Sequence, residues 1–406
     1  MEMRKNMKQY DLLAPIMSED ERTYVSAQGA SYTDDQGRTY LDMIEMCQVL
    51  GQNNEAYIRA MTEALSGITT GKTGFSAAKA ELYAHFRKAT HEDFETIHLM
   101  TSGSEAVEWA VRLAKRITGR TEAISFWNSI HGRTYLSASM SGLPRRKAGY
   151  GPLAPGVVLV PYPRCCECPH RDSCQAENYP CLEYIKMQYR YGSAQDVACV
   201  VVEPCQGARI DIAPKGWMEA LYRWAKEQGM IFIMDEIQSG MGRTGEMFRY
   251  QHYNFIPDML LVGKALGNNM HISAILTRQR PAKECLPGVS GGVGDETLSC
   301  VSACQVFRQL EEGLLDHVRH AGQILAEGLQ PLRKWDAVLD VRTLGLAAAV
   351  EFRRCEDCEK VLSGLTEDGF FVGHTENCIV CKPPYVIDEE QIESFVRSIT
   401  DRICRC

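Results

Sequence analysis

The stretch IFIMDEIQSGMGRTG (231–245) decides how the rest of the chain is read. Ile231 to Met234 are apolar without a break, then come Asp235 and Glu236, then a loop punctuated by Gly240, Gly242 and Gly245. This is the pattern of a buried strand that delivers a carboxylate to its C-terminal end. Open α/β sheets bind ligands beyond the carboxyl ends of their strands, so Asp235 stands where chemistry is done. Two uses compete. The carboxylate could hold magnesium in a nucleotide hydrolase, or it could serve an organic cofactor.

Working outward, WMEALYRWAKEQG (217–229) has helical spacing and a glycine stop at Gly229, which makes a βαβ crossover into the Asp235 strand. Further strands are expected at EAISFW (122–127), GVVLV (156–160), VACVVVEP (197–204), MLLVG (259–263) and ISAILT (272–277). Nearly all are apolar on both faces, as a mostly parallel sheet covered by helices requires. The fold class is therefore α/β. After residue 300 the pattern VRHAGQILAEGLQPLRKW, the segment VLDVRTLGLAAAVEF and a last strand and helix around Lys382 describe a second, smaller α/β unit. Three parts are expected: an N-terminal segment, 1–50, packing with the small domain; a large cofactor-binding domain, 51–295; and a small C-terminal domain, 296–406.

The hydrolase reading needs GxxxxGK[ST] between a strand and a helix, so that backbone N–H groups ring a phosphate. GITTGKT (67–73) is one residue short and follows the helical pattern YIRAMTEALS, so it reads as a turn. Composition sets the remaining frame. The chain has 406 residues, 45% hydrophobic and 24% charged, with a net charge of −8 that argues against nucleic acid as a partner. The opening MEMRKNMKQYDLLAPIMSEDE lacks the apolar core of a signal peptide, and no apolar run is long enough to span a membrane. A cytoplasmic protein is expected, and its 17 cysteines read as thiols or metal ligands rather than a disulfide framework.

Lys264 stands where the apolar run MLLVG ends, so it and Asp235 fall at the C-terminal ends of strands in one sheet. A strand-end lysine paired with a strand-end carboxylate suits pyridoxal 5′-phosphate: the lysine holds the aldehyde, and the carboxylate keeps the pyridine nitrogen protonated. A phosphate seat is offered by TSGSEAVEWAVRLAKR (101–116), where Ser102 and Glu105 fit a capping box at the start of an amphipathic helix.

Together these pieces resemble the class III pyridoxal-phosphate aminotransferases, the ornithine and 4-aminobutyrate aminotransferase family. The resemblance runs from about Ala30 to the C-terminus through SYTDDQGRTYLD (31–42), SGSEAVE (102–108), HGRT (131–134), VVEPCQG (201–207), DEIQSGMGRTG (235–245), PDMLLVGKALG (257–267) and KPPYVIDEEQIE (382–393). It implies a fold type I homodimer with active sites shared between subunits. It gives Lys264 the Schiff-base role, Asp235 the pyridine nitrogen and Gln238 the phenolic oxygen of the cofactor. Gly103 and Ser104 match the phosphate cup, Glu203 the carboxylate beneath the cofactor, and Thr297 the threonine that reaches the phosphate of the neighbouring subunit. The implied activity is amino-group transfer between a small-molecule amine and a keto acid or aldehyde. A racemase or epimerase of the same fold, and a non-catalytic binding protein, are the alternatives.

Departures from the family pattern are informative. Ile130 stands before His131 where the family stacks an aromatic ring on the cofactor, which removes part of an aromatic contribution of about 0.5 to 1.5 kcal/mol. The family's substrate arginine is replaced by Val380, and the glutamate that pairs with it by Ala208. Losing only one partner would strand a buried charge, so the double replacement is self-consistent, and it points to a primary amine remote from any carboxylate. Arg209 is the candidate for a replacement substrate cation. Finally, PRCCECPHRDSCQAENYPC (163–181) is a cysteine insertion in which Cys165, Cys168, Cys174 and Cys181 could hold zinc or an iron–sulfur cluster; it resembles an insertion found in part of the 4-aminobutyrate aminotransferase group.

Overall fold

The structure, a computed structural model, describes residues 22–67, 76–170, 174, 178–286 and 295–406. Residues 68–73 of GITTGKT, the first 21 residues and part of the cysteine insertion lie outside the described residues.

A seven-stranded sheet forms the centre. Its strands in chain order are β1 (Thr96–Met100), β2 (Glu122–Phe126), β3 (Val157–Val160), β4 (Val197–Val202), β5 (Ile231–Glu236), β6 (Met259–Val262) and β7 (Ser273–Thr277). In space they run β1, β7, β6, β5, β4, β2, β3. The pairs β6 to β5, β5 to β4, β4 to β2 and β2 to β3 are parallel, while β7 runs antiparallel to both β6 and β1. The reason for the reversal is the short connection 263–272, which is too brief for the crossover a parallel neighbour needs. The edge strand β1, TIHLM, carries a histidine in its middle and is absent from the strands expected from the sequence.

Because side chains alternate across a strand, the sheet separates its residues into two cores. Val200, Val202, Phe232, Met234, Leu260 and Val262 belong to one. Cys199, Val201, Ile233, Met259 and Leu261 belong to the other. Helix α1 (Gly103–Thr118) covers the second face with Ala106, Val107, Ala110 and Val111, and α2 (Lys215–Glu227) covers the first with Trp217, Met218, Leu221 and Trp224. Both helices are charged on their outer faces, so the apolar stripe alone settles which side docks. Gly229, just past α2, has φ 70 and ends it in the left-handed conformation that glycine tolerates.

The C-terminal part builds its own antiparallel sheet from Val338–Leu344, Ala347–Phe352, Cys378–Cys381 and Gly373–Thr375. The N-terminal strands Tyr24–Gln28, Ser31–Asp34 and Thr39–Asp42 form another, and Phe370–Phe371 joins it in parallel beside Leu41 and Asp42. The two ends of the chain are thus hydrogen-bonded to each other. Arg243, from the loop after β5, ties these parts together: it donates to the carbonyls of Leu346 (3.0 Å), Pro383 (2.6 Å) and Glu45 (3.4 Å) and lies over the Tyr385 ring.

The turn after β2 rests on Gly142. A Cβ there would collide with backbone atoms of Phe126, Trp127 and Asn128, which cannot move without shifting the loop that carries Ile130 and His131. Gly142→Ala is expected to cost about 1–3 kcal/mol by overpacking and to lower the thermal midpoint and the cofactor occupancy together. A variant with an unchanged midpoint and full occupancy would show that the loop yields freely.

Candidate active site

The parallel pairing of β5 with β6 sets Asp235 beside Leu261 and Glu236 beside Val262. The chain leaves β6 through Gly263 into Lys264, which takes φ 46. A left-handed lysine costs roughly 1–3 kcal/mol, and strain of this kind persists where surrounding contacts over-determine it. Here its Nζ donates to Gln238 Oε1 at 2.7 Å, so the residue after β6 and the loop after β5 meet directly. Burial lowers the Lys264 pKa, and Arg146 adds to the effect, against the opposing charges of Glu203, Cys47 and Asp235.

Asp235 is buried, and its Oδ2 lies 2.7 Å from His131 Nδ1 while its Oδ1 accepts from the Ile237 N–H at 3.1 Å. Burial opposes a charged His131, but the hydrogen bond and charge of Asp235, with Glu203 behind it, raise the histidine pKa above its ordinary value. His131 is therefore the hydrogen-bond partner of Asp235 and is itself biased toward its charged form. Glu203, also buried, accepts from the Ile130 N–H (2.8 Å) and the Gly207 N–H (3.0 Å). Desolvation raises its pKa, partly offset by His131 and these two donors.

The phosphate seat is the start of α1. Ser102 caps it by accepting from Glu105 N–H at 3.3 Å. The expected capping box is only half formed, because the Glu105 carboxylate reaches back to Thr101, one residue too early: it accepts from the Thr101 N–H at 2.8 Å and from its hydroxyl. Gly103 packs so tightly on Ile237 that a Cβ would meet its side chain at 2.9 Å, which brings the free N–H end of the helix beside the Asp235 loop. Ser104 Oγ accepts from the Arg133 N–H at 3.0 Å, closing the other side. Thr297 begins α3 (Thr297–Gln309), and its hydroxyl is buried with no hydrogen-bond partner among the described residues.

Pyridoxal phosphate fits this set. An amine of lowered pKa, a strand-end carboxylate hydrogen-bonded to a histidine, a glycine-opened helix terminus and two orphaned buried atoms, His131 Nε2 and Thr297 Oγ1, are the groups such a cofactor requires. The structure brings Lys264, Gln238, Asp235, His131, Ile130, Glu203, Gly103 and Ser104 into one connected region. Thr297 is not hydrogen-bonded to any of them.

On the substrate side, Val380 is buried in a small apolar cluster with Cys205, Ile210, Ala347, Ala349 and Cys378. Arg209 differs from the expectation of a free substrate cation. Its guanidinium pairs with Glu351 and with Glu376 (2.9 Å) and donates to Asn377 (3.0 Å), so its charge is already matched. Two site residues escaped the sequence reading. Arg243 is fully enclosed, and Lys382 is a second buried lysine whose Nζ donates to the Gly207 carbonyl at 3.1 Å. The signal for Lys382 was its lone charge between a buried strand and a proline pair.

No disulfide joins any of the cysteines among the described residues. Among the described residues, the one group of three or more potential metal ligands whose atoms lie within 4.8 Å of one another is Glu81, His85 and Cys304, and there Glu81 is paired with Arg308 and His85 with Glu311. Cys165, Cys168, Cys174 and Cys181 are not gathered into a ligand set, although Cys168 and Cys174 are near enough to Cys181 to add to the burial that pushes its thiol up to about 11. Among the described residues no helix is long and apolar enough to cross a membrane.

The description Aminotransferase class-III matches residues 16–403 of the chain. An acetylornithine aminotransferase from Methanopyrus kandleri is 30% identical over 388 residues, 94% of each chain. A leucine/methionine racemase from Thermococcus litoralis is 29% identical over 403 residues, covering 94% of this chain and 88% of its own. Among solved structures, the omega transaminase from Pseudomonas jessenii in complex with PMP superposes with a TM-score of 0.88 at 21% identity, covering 99% of this chain and 98% of the other.

The lowered Lys264 pKa has a kinetic consequence, because only the neutral amine attacks an aldehyde. Reconstitution of cofactor-free protein with pyridoxal phosphate is expected to accelerate with pH along a titration whose midpoint lies below 10.5, the ordinary lysine value. A stopped-flow pH profile of the absorbance change reads this directly, and a midpoint at or above that value overturns it.

Proposed function

This chain belongs to the class-III aminotransferase family and transfers amino groups, and we propose that it moves them between a primary amine or ω-amino compound and a keto acid or aldehyde through Lys264. The observation that carries this reading is the junction of Lys264 with Gln238 beside the His131–Asp235 pair. Bound pyridoxal phosphate supplies an electron sink that acidifies the hydrogen on the amine-bearing carbon. Asp235, hydrogen-bonded to His131, would keep the ring nitrogen protonated. Lys264 anchors the aldehyde and, once displaced by the incoming amine, acts as the base at the substrate carbon, for which its lowered pKa suits it. The N-terminal N–H groups of α1 and the backbone around Gly103 and Ser104 would hold the phosphate.

A shared-site homodimer is part of this reading. Thr297 Oγ1, buried and without a hydrogen-bond partner among the described residues, supports it, since this hydroxyl would serve a cofactor across the interface. The preference for an amine without a nearby carboxylate rests on Val380 and Ala208, which leave no arginine fork at that wall. The cysteine insertion enters as thiols, since its sulfurs are not gathered. Racemisation is the second reading, favoured by the Thermococcus litoralis relative.

A half-reaction screen separates the two. Candidate amines are added singly to the loaded enzyme, and stoichiometric conversion of the cofactor to pyridoxamine phosphate is expected. Deuterium exchange and inversion at the substrate carbon without that conversion would establish the racemase instead. Asp235→Asn is expected to retain bound cofactor and lose on the order of 10³-fold or more in turnover, as loss of a preorganised charge in a buried site implies. Lys264→Ala should bind the cofactor without the absorbance of the lysine adduct and show no measurable turnover. Near wild-type rates in either variant would remove that residue from the mechanism.

A further inference from the structure

Three cations stand close together at the site, and among the described residues none makes a salt bridge: Lys264, Arg243 and Lys382. Arg243 directs its N–H groups to the carbonyls of Leu346, Pro383 and Glu45. Lys264 donates to Gln238 and is the amine assigned to the cofactor aldehyde. Lys382 is different. Its ammonium has three donors, and the Gly207 carbonyl is the one acceptor it meets among the described residues. Yet its side chain is almost wholly buried. A buried cation with unfilled donors is costly unless an anion comes to it.

Its location says which anion. Lys382 directly follows the strand Cys378–Cys381 that carries Val380, and its own N–H donates to Met43 O at 2.6 Å. The Gly207 carbonyl it donates to also accepts from Gln238 Nε2 at 3.2 Å, and Gln238 Oε1 accepts from Lys264 at 2.7 Å. One carboxamide therefore links the two lysines. The charged and titratable groups that face Lys382 are Lys264, Arg243, Cys205 and Glu203, with Cys47 close by. Burial first, and then the like charges of Lys264 and Arg243, bring its pKa down to about 7.

We propose that Lys382 determines specificity for the acceptor half of the reaction by receiving the carboxylate of a 2-oxo acid beside Lys264. This rests on the aminotransferase reading and deepens it. A lysine suits the task better than an arginine, because one compact charge takes one carboxylate oxygen and can also be given up. With a 2-oxo acid present the ammonium is charged and paired. With an amine donor that has no carboxylate, the side chain releases its proton to water and leaves no unpaired charge. A single pocket thus accepts substrates of unlike charge.

The test uses enzyme loaded with pyridoxamine phosphate, so that it does not depend on the donor. Pyruvate and butanal are mixed with it in turn, and return of the pyridoxal absorbance is followed. Lys382→Met is expected to weaken apparent pyruvate affinity about tenfold to a hundredfold and butanal affinity by less than about threefold, the worth of one charge-assisted hydrogen bond. In the wild type pyruvate affinity should fall as pH rises above about 7, whereas Lys382→Arg should hold it flat. Calorimetric binding of propionate, an unreactive carboxylate, gives a second readout and should weaken in step with pyruvate in Lys382→Met. Equal losses for pyruvate and butanal, or none for either, overturn the proposal while leaving the aminotransferase reading intact. If no acceptor reacts with the wild type, the aminotransferase reading fails, and propionate binding that is indifferent to Lys382→Met overturns this proposal separately.

Discussion

The parallel pairing of Ile231–Glu236 with Met259–Val262 is the constraint on which the rest of the site depends. Parallel strands end on the same side of a sheet, so the register that puts Asp235 beside Leu261 also brings Lys264 out near Gln238. A slip of one residue would exchange Phe232 and Met234 with Ile233 between two cores that are both closed by helices. The apolar packing therefore fixes the geometry of the polar residues at the strand ends. No polar contact needs to do so.

Electrostatics then sets the partners that those buried polar residues receive. Asp235 has His131, and Glu203 has two backbone N–H donors. Each arrangement stabilises an anion in a place where desolvation works against it. The lysines are treated in the opposite way. Lys264 and Lys382 receive only neutral acceptors, so burial lowers the pKa of both and favours a neutral amine. One side of the site gathers carboxylates supplied with hydrogen-bond donors, and the other keeps amines that burial biases toward losing a proton. That asymmetry is what proton transfer at a substrate carbon calls for.

Much of this was legible in the sequence because it is written locally. The apolar runs at 197–204, 230–235 and 259–263 became β4, β5 and β6, since a strand buried on both faces has no other place to go. Asp235 and Lys264 drew attention because they sit at the ends of those runs, and Gln238, two residues beyond β5, entered through the family resemblance. What was not legible depends on long-range contacts. The strand Thr96–Met100 has polar residues and, among the described residues, pairs with β7 alone at the sheet edge. Glu105 reaches Thr101 rather than closing its box, a difference of one residue that spacing rules do not resolve. Lys382 meets Gly207, and Arg209 meets Glu351, across 175 and 142 residues of chain.

The Arg209 result also gives meaning to the loss of charge at position 380. Glu351, with no exposed surface, accepts from Arg164 (2.7 Å), Arg342 (2.7 Å) and Arg209, and Arg342 pairs in addition with Asp340 (2.9 Å) and Asp211 (3.4 Å). Burial would raise the Glu351 pKa, but these three guanidinium groups overcome it and hold the carboxyl below its ordinary value. The network links the cysteine insertion, through Arg164, to the C-terminal sheet, through Arg342 and Glu351. Its charges satisfy one another, so it offers nothing to a substrate. Val380, with its apolar cluster, stands on the neighbouring strand. An arginine at that position would add a further cation beside Arg209 and Arg342 with Ala208 unable to balance it. The mutual neutralisation of the network and the apolar residue at position 380 are thus consistent with each other, and Lys382, at the end of the strand that carries Val380, is a buried cation outside that network.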